Sequence, residues 1–160
     1  MCATAIFCER TSRFCLKAIG ACLALLISIP FQASARDKDE AEAAARLLTK
    51  RLEKEKFEFR AEAWVKDLPP KIGKAVRMQL FKGNDYRFCI AVPRDSGVHV
   101  TAAVLDFDGN PSGEIEPVLE GWGCILSFKP QKTGVYVVAL RQEEAGKARV
   151  VPCAVITGYK

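Results

Sequence analysis

From position 57 onward apolar and polar residues mostly alternate, whereas the stretch before it carries a helical period. Between 37 and 55, Ala41, Ala44, Ala45, Leu48 and Leu52 recur three and four residues apart, which sets them on one narrow stripe of a helix. Asp37 or Asp39 can cap the start, and acids are frequent in the first turns, where the helix dipole favours them. Lys50, Arg51, Lys54 and Lys56 crowd the other end, again as the dipole prefers. The pattern predicts a helix that docks on the following domain, stands solvated as a spacer, or binds a partner.

The period then drops to two. Phe57, Phe59, Ala61, Ala63 and Val65 alternate with Glu58, Arg60 and Glu62, the mark of a half-buried strand over 57–65. Pro69 and Pro70 end it, because proline cannot continue a ladder. Further strands are predicted over 75–81, 86–92, 98–107, 122–128, 134–141 and 149–159, the last bent at Pro152. A short strand over 114–119 is confined to an edge by Pro117. Turn residues separate them, and Asp108 with Gly109 gives a hairpin signal. Many short strands at this spacing predict a mainly β fold: an antiparallel β-sandwich or a barrel, preceded by one α-helix.

The first 35 residues belong to neither pattern. Arg10, Arg13 and Lys17 precede an apolar run over 18–31, and Ala33 and Ala35 then supply the small residues that signal peptidase accepts. This predicts a cleavable secretory signal peptide over 1–35, with cleavage between Ala35 and Arg36. A retained anchor would need about 20 apolar residues, and this run is shorter. A lipoprotein reading would use Cys22, but Cys22 stands near the start of the apolar run instead of after it. The expected organisation is a leader over 1–35, a helix over 36–56 and a β-domain over 57–160, in a periplasmic or secreted protein. No membrane span remains after cleavage.

Charge and cysteines narrow the picture. The whole chain has 24 Lys+Arg and 19 Asp+Glu, and without residues 1–35 the net charge falls to +3. The basic residues are interspersed with acids, so no nucleic-acid partner is expected. Cys2, Cys8, Cys15 and Cys22 would leave with the leader, so three cysteines remain. In an oxidising compartment three suggest one disulfide and one free thiol. Cys124 shares strand parity with Leu126 and Phe128, while Cys89 shares it with Arg87, away from Tyr86 and Phe88. The expected disulfide is therefore Cys89–Cys153, with Cys124 a buried thiol. The spacings fit no zinc pattern, and no metal or other cofactor is expected.

Leu80, Gly83, Tyr86 and Phe88, then Leu105, Asp108 and Gly109, then Phe128, Pro130, Gly134, Tyr136 and Val138, fall in an order and spacing that resembles the bacterial pre-peptidase C-terminal (PPC-like) β-sandwich modules. The resemblance covers about residues 57–158. It implies a jelly-roll-like sandwich in secreted or periplasmic proteins, and a role in adhesion, stability or surface binding with no catalysis of its own. Such modules usually accompany secreted enzymes; here the helical segment 36–56 precedes the module.

Candidate chemistry is sparse. His99 is the sole histidine, and a general base would need a nucleophile and an orienting acid in reach. It reads as a polar residue on the solvent face of a strand. Asp106, Asp108 and Asn110 begin like a calcium loop, but Pro111 and Pro117 stand where glycine and glutamate are needed, so a hairpin is expected. Trp64 and Trp122 are the candidates for exposed aromatics, with packing against the N-terminal helix expected for both. The function expected is that of a non-catalytic exported module, binding or structural, whose partner is a protein or a glycan. The alternatives are an enzyme accessory or inhibitor acting through a surface loop, and a membrane-tethered envelope factor if the leader is kept.

Overall fold

A computed structural model describes residues 35–160, apart from Phe107 and Ala145. The expected signal peptide lies outside the described residues except for Ala35. Ala35 and Arg36 open helix α1, Ala35–Glu53. Ala41, Ala44, Ala45, Leu48 and Leu52 are its buried apolar residues, the stripe that the period of 3.6 predicts. Of the three roles open to this helix, the structure has the docked one.

Ten strands follow: β1 (Glu58–Phe59), β2 (Trp64–Leu68), β3 (Lys74–Leu80), β4 (Tyr86–Ala91), β5 (Val100–Leu105), β6 (Pro111–Ser112), β7 (Glu114–Val118), β8 (Gly123–Phe128), β9 (Gly134–Gln142) and β10 (Val151–Tyr159). Sheet A runs from β1 and β2, which share one edge, through β10, β4 and β8 to β7. Sheet B runs β3–β9–β5–β6. Every neighbouring pair is antiparallel. From β2 to β5 and again from β8 to β10, successive strands alternate between the sheets. That winding is a jelly roll, so the expected mainly β sandwich with one helix is the observed fold.

Alternation decides what each strand buries. Val76, Met78 and Leu80 of β3, Val100, Ala102 and Val104 of β5, and Tyr136, Val138 and Leu140 of β9 point between the sheets. They meet Tyr86, Phe88 and Ile90 of β4, Cys124 and Leu126 of β8, and Val151, Cys153 and Val155 of β10. Sheet A is also covered outside. Cys89, Ala91, Ile125, Ala154 and Ile156 point away from the sandwich and pack under α1. Two faces buried on one sheet explain why β10 shows no clear alternation.

Two expectations change in detail. The strand expected over 57–65 is two pieces, β1 and β2, both on the edge of β10. Six residues from Phe59 to Trp64 oppose four from Gly158 to Val155, so the chain bulges out between them. Phe57, Phe59, Ala63 and Val65 do share a face, and it is the face under α1. Trp64 therefore points the other way and packs on the sandwich core instead of the helix. Trp122 touches both cores.

Proline and glycine mark the corners. Pro117 lies in β7, at the edge of sheet A as predicted. Pro152 sits in β10 opposite Asp67 of β2, at a position that β4 does not reach, so no ladder bond is lost on that side. Gly113 joins β6 in sheet B to β7 in sheet A with φ +93, and this one residue carries the chain across the sandwich. A Cβ there would stand 2.9 Å from the carbonyl oxygen of Ser127. We expect Gly113→Ala to cost about 1–3 kcal/mol through left-handed strain and that contact. Urea unfolding of the variant checks it; an unchanged midpoint would show that the corner relaxes freely.

Candidate functional site

The cysteines correct one expectation. Cys89, Cys124 and Cys153 are all buried free thiols. Cys89 lies under α1, whereas Cys124 and Cys153 point into the sandwich core. Cys89 pairs across the sheet with Ile156, three positions along β10 from Cys153. At strand rise that is roughly 10 Å, and the two side chains leave opposite faces, so a Cys89–Cys153 bridge does not form. Desolvation pushes the Cys89 and Cys153 thiols up to about 12. It raises Cys124 further, with smaller contributions from the neighbouring Cys153, Glu143 and Cys89. Neutral thiols of this kind pack as small apolar groups and are poor nucleophiles.

The other candidates also sit in structural roles. His99 lies before β5, not on its solvent face, and its ring covers Gly121: a Cβ there would come within 2.8 Å of the imidazole. Its carbonyl accepts from the Glu143 amide at 2.9 Å. Among the described residues no three His, Cys, Asp or Glu side chains gather to hold a metal ion. Asp106 closes the β5–β6 turn. Its Oδ1 accepts from the amides of Asp108 and Asn110 at 2.9 and 2.8 Å. The backbone amide of Asn110 contributes most to holding this carboxyl below the usual carboxylate range. The hairpin reading of this turn is the one observed.

A cleft of about 670 Å³ opens beside that turn, between β4, β8 and the loop that leads into β9. Four of its polar side chains, Asp85, Arg87, Asp106 and Tyr136, take part in holding the fold. Arg87 pairs with Asp85 at 2.5 Å and lies 4.8 Å from the centre of the Phe57 ring. The Tyr136 hydroxyl donates to the Lys132 carbonyl at 2.8 Å, and its ring meets Phe128 edge-on. Asp106 is held by its own hairpin.

The outer face of sheet B is different. The partners along it form rows across three strands: Ala75, Ala139 and Ala103, then Arg77, Val137 and Leu105, with Gln79 beside Val135 and Arg141 beside Thr101. None of these side chains belongs to the core, and Val135 is 55% exposed. The four strands of this sheet contain no Asp or Glu, but do contain Lys74, Arg77 and Arg141. Among the described residues none of these three cations takes part in an ion pair. Acids lie elsewhere: on α1, on β1 and β2, on β7 and in the turns. Interspersed along the chain, the charges are thus sorted by the fold. Reading the sequence missed this face, yet it left a signal. In β5 and β9 the positions that alternation assigns to solvent are themselves largely apolar. Compared with family models and with curated proteins, the chain matches none.

Thiol reagents should leave Cys89, Cys124 and Cys153 unmodified in the native protein and label all three in urea. Recovery of a Cys89–Cys153 peptide would contradict the structure. Below about pH 8.5 the buried thiols have no effect on the pH dependence of stability. Above it the unfolded chain ionises first, so stability falls progressively as the pH rises toward 12.

For Asp106 the sign is opposite. Its lowered folded value contributes stability above about pH 4, which is lost as acid protonates the folded carboxylate. Asp106→Asn should flatten the melting temperature between about pH 2 and 5 relative to the parent; a parallel decline would remove Asp106 from that dependence.

Proposed function

We propose that the chain is an exported, non-catalytic binding module of the bacterial periplasm or cell surface, and that it makes contact through the outer face of sheet B. The observation that carries this reading is that face itself: largely apolar across three strands, free of acids and covered by none of the described elements. The opposite outer face, on sheet A, is covered by α1. Exposed apolar surface with a polar rim is what binding surfaces present. The resemblance to PPC-like modules supports the same role, and the leader supports export. No described helix is long and apolar enough to cross a membrane.

Two measurements test the proposal. N-terminal sequencing of protein from the envelope fraction should begin at Arg36. A photo-crosslinking residue at Val137 should form adducts there, and the same residue at the exposed Ala43 of α1 should not. Adducts from Ala43 alone would move the binding surface to the helix. Turnover of any substrate in a panel assay would overturn the non-catalytic reading.

A further inference from the structure

The molecule contains one solved instance of the problem that sheet B poses. On sheet A the outward row Ala154, Ala91 and Gly123 runs across three strands beside the row Ile156, Cys89 and Ile125. A small-residue row beside a larger apolar one makes a flat, shallow shelf. The element seated there is an α-helix whose apolar stripe is itself built of Ala41, Ala44, Ala45, Leu48 and Leu52. At its rim Arg51 of the helix pairs with Glu116 of β7 at 2.8 Å.

Sheet B repeats the arrangement on its outer face. The row Ala75, Ala139 and Ala103 runs beside the row Arg77, Val137 and Leu105. Alanine is a poor strand former, and three in one solvated row gain nothing from β propensity. Their common property is that they keep the sheet surface low. Here the charges on the sheet are positive, at Arg77 and Arg141, where on sheet A the rim charge is the acid Glu116.

We propose that the outer face of sheet B seats an amphipathic α-helix of a partner protein, with a small-residue apolar stripe against the alanine row and acidic residues against Arg77 and Arg141. This rests on the reading that sheet B is the contact face and names what occupies it. A second copy of this chain is a poor occupant. Face to face it would set arginines against arginines, and its own α1 already has its stripe buried. A lipid surface is also a poor fit, because alanines on a flat sheet offer nothing to insert. The most exposed of the large apolar residues described, Ile72 at 86%, lies before β3 at one end of the face, a single apolar side chain in a recess it shares with Ala75, Ala139 and Arg141.

The probe is a synthetic helical peptide with Ala and Leu at the α1 stripe spacing and Glu at the flanking positions. A control peptide carries Lys at those flanks. The target is the protein produced from its full chain in an exporting bacterial host, with labelled methyl groups. The Glu peptide should shift the methyl resonances of Ala75, Ala103, Ala139 and Val137 and leave those of Ala91 and Ala154 in place. Replacing both cations (Arg77→Glu with Arg141→Glu) should weaken binding by about tenfold or more, since two attractive pairs become repulsive. Unchanged core methyl resonances would show that the double variant is folded. Should that variant fail to fold, Gln at both positions serves instead, with a smaller loss expected.

Equal binding of both peptides, or no shift at the alanine row at millimolar Glu peptide, would overturn the proposal. So would binding to phosphatidylglycerol vesicles in place of peptide, or self-association through this face in sedimentation. The two levels fail separately. Loss of adducts at Val137 removes the face, whereas adducts at Val137 on a segment that is neither acidic nor helical remove only the helix.

Discussion

Helix α1 rests on sheet A through side chains too small to hold the two apart. Ala41, Ala44 and Ala45 belong to the same buried cluster as Cys89, Ala91 and Ala154 of the strands beneath, and that closeness lets Leu48, Leu52 and Phe57 bury fully beside them. Each of those three larger side chains contributes about 1.5–3 kcal/mol by leaving water. The ion pair at the rim, Arg51–Glu116, is more than half exposed on both sides and adds at most about 1 kcal/mol. Most of the stability of a protein helix comes from packing its apolar face rather than from propensity. The helix therefore exists because the sheet is there, and the outward residues of β4, β8 and β10 stay dry because the helix is there. A larger side chain on either surface would lift the whole contact.

This double coverage also sets what the sequence could show. β3, β5 and β9 have one face outside the core, and their alternation places Val76, Val104 and Val138 inside without ambiguity. β10 is dry on both faces over most of its length, so its apolar run does not say which way Cys153 points. Parity did separate Cys89 from Cys124, but Cys153 had no parity to read, and the pairing assigned to it put it on the wrong face. Trp64 fails for a related reason. The odd residues from Phe57 to Val65 are the apolar set, and they look like the core face until a second core appears under the helix.

The basic face was hidden by a different cause. Arg77 and Arg141 come from strands far apart in the chain, with acids in most of the segments between them. Composition averages such charges to near neutrality, and only the jelly-roll order, which brings β3 beside β9 and β9 beside β5, puts them on one surface. The outward alanines were visible as residues, but their alignment depends on register: Ala75 opposite Ala139, and Ala139 opposite Ala103. A slip of two positions in either pairing would keep every side chain on its face and dissolve the row.

The two sheets thus differ in how much of their surface folding has already used. In the middle of sheet A both faces are buried, so a change at Cys89 or Ala154 is felt by a core. On sheet B the inward residues hold the sandwich together, and the outward ones touch neither core. Stability places little demand on the identity of Ala103, Val137 or Arg141 beyond tolerance for a strand. Asp85, Arg87 and Asp106 of the neighbouring cleft do not share that freedom, because they are engaged in holding loops and strand ends. The contact proposed for this face would account for a surface that is low, largely apolar and free of acids at positions where folding would accept almost any strand-forming residue, and the helix docked on sheet A shows that a sheet of this protein can seat a helix through a row of small side chains flanked by larger ones.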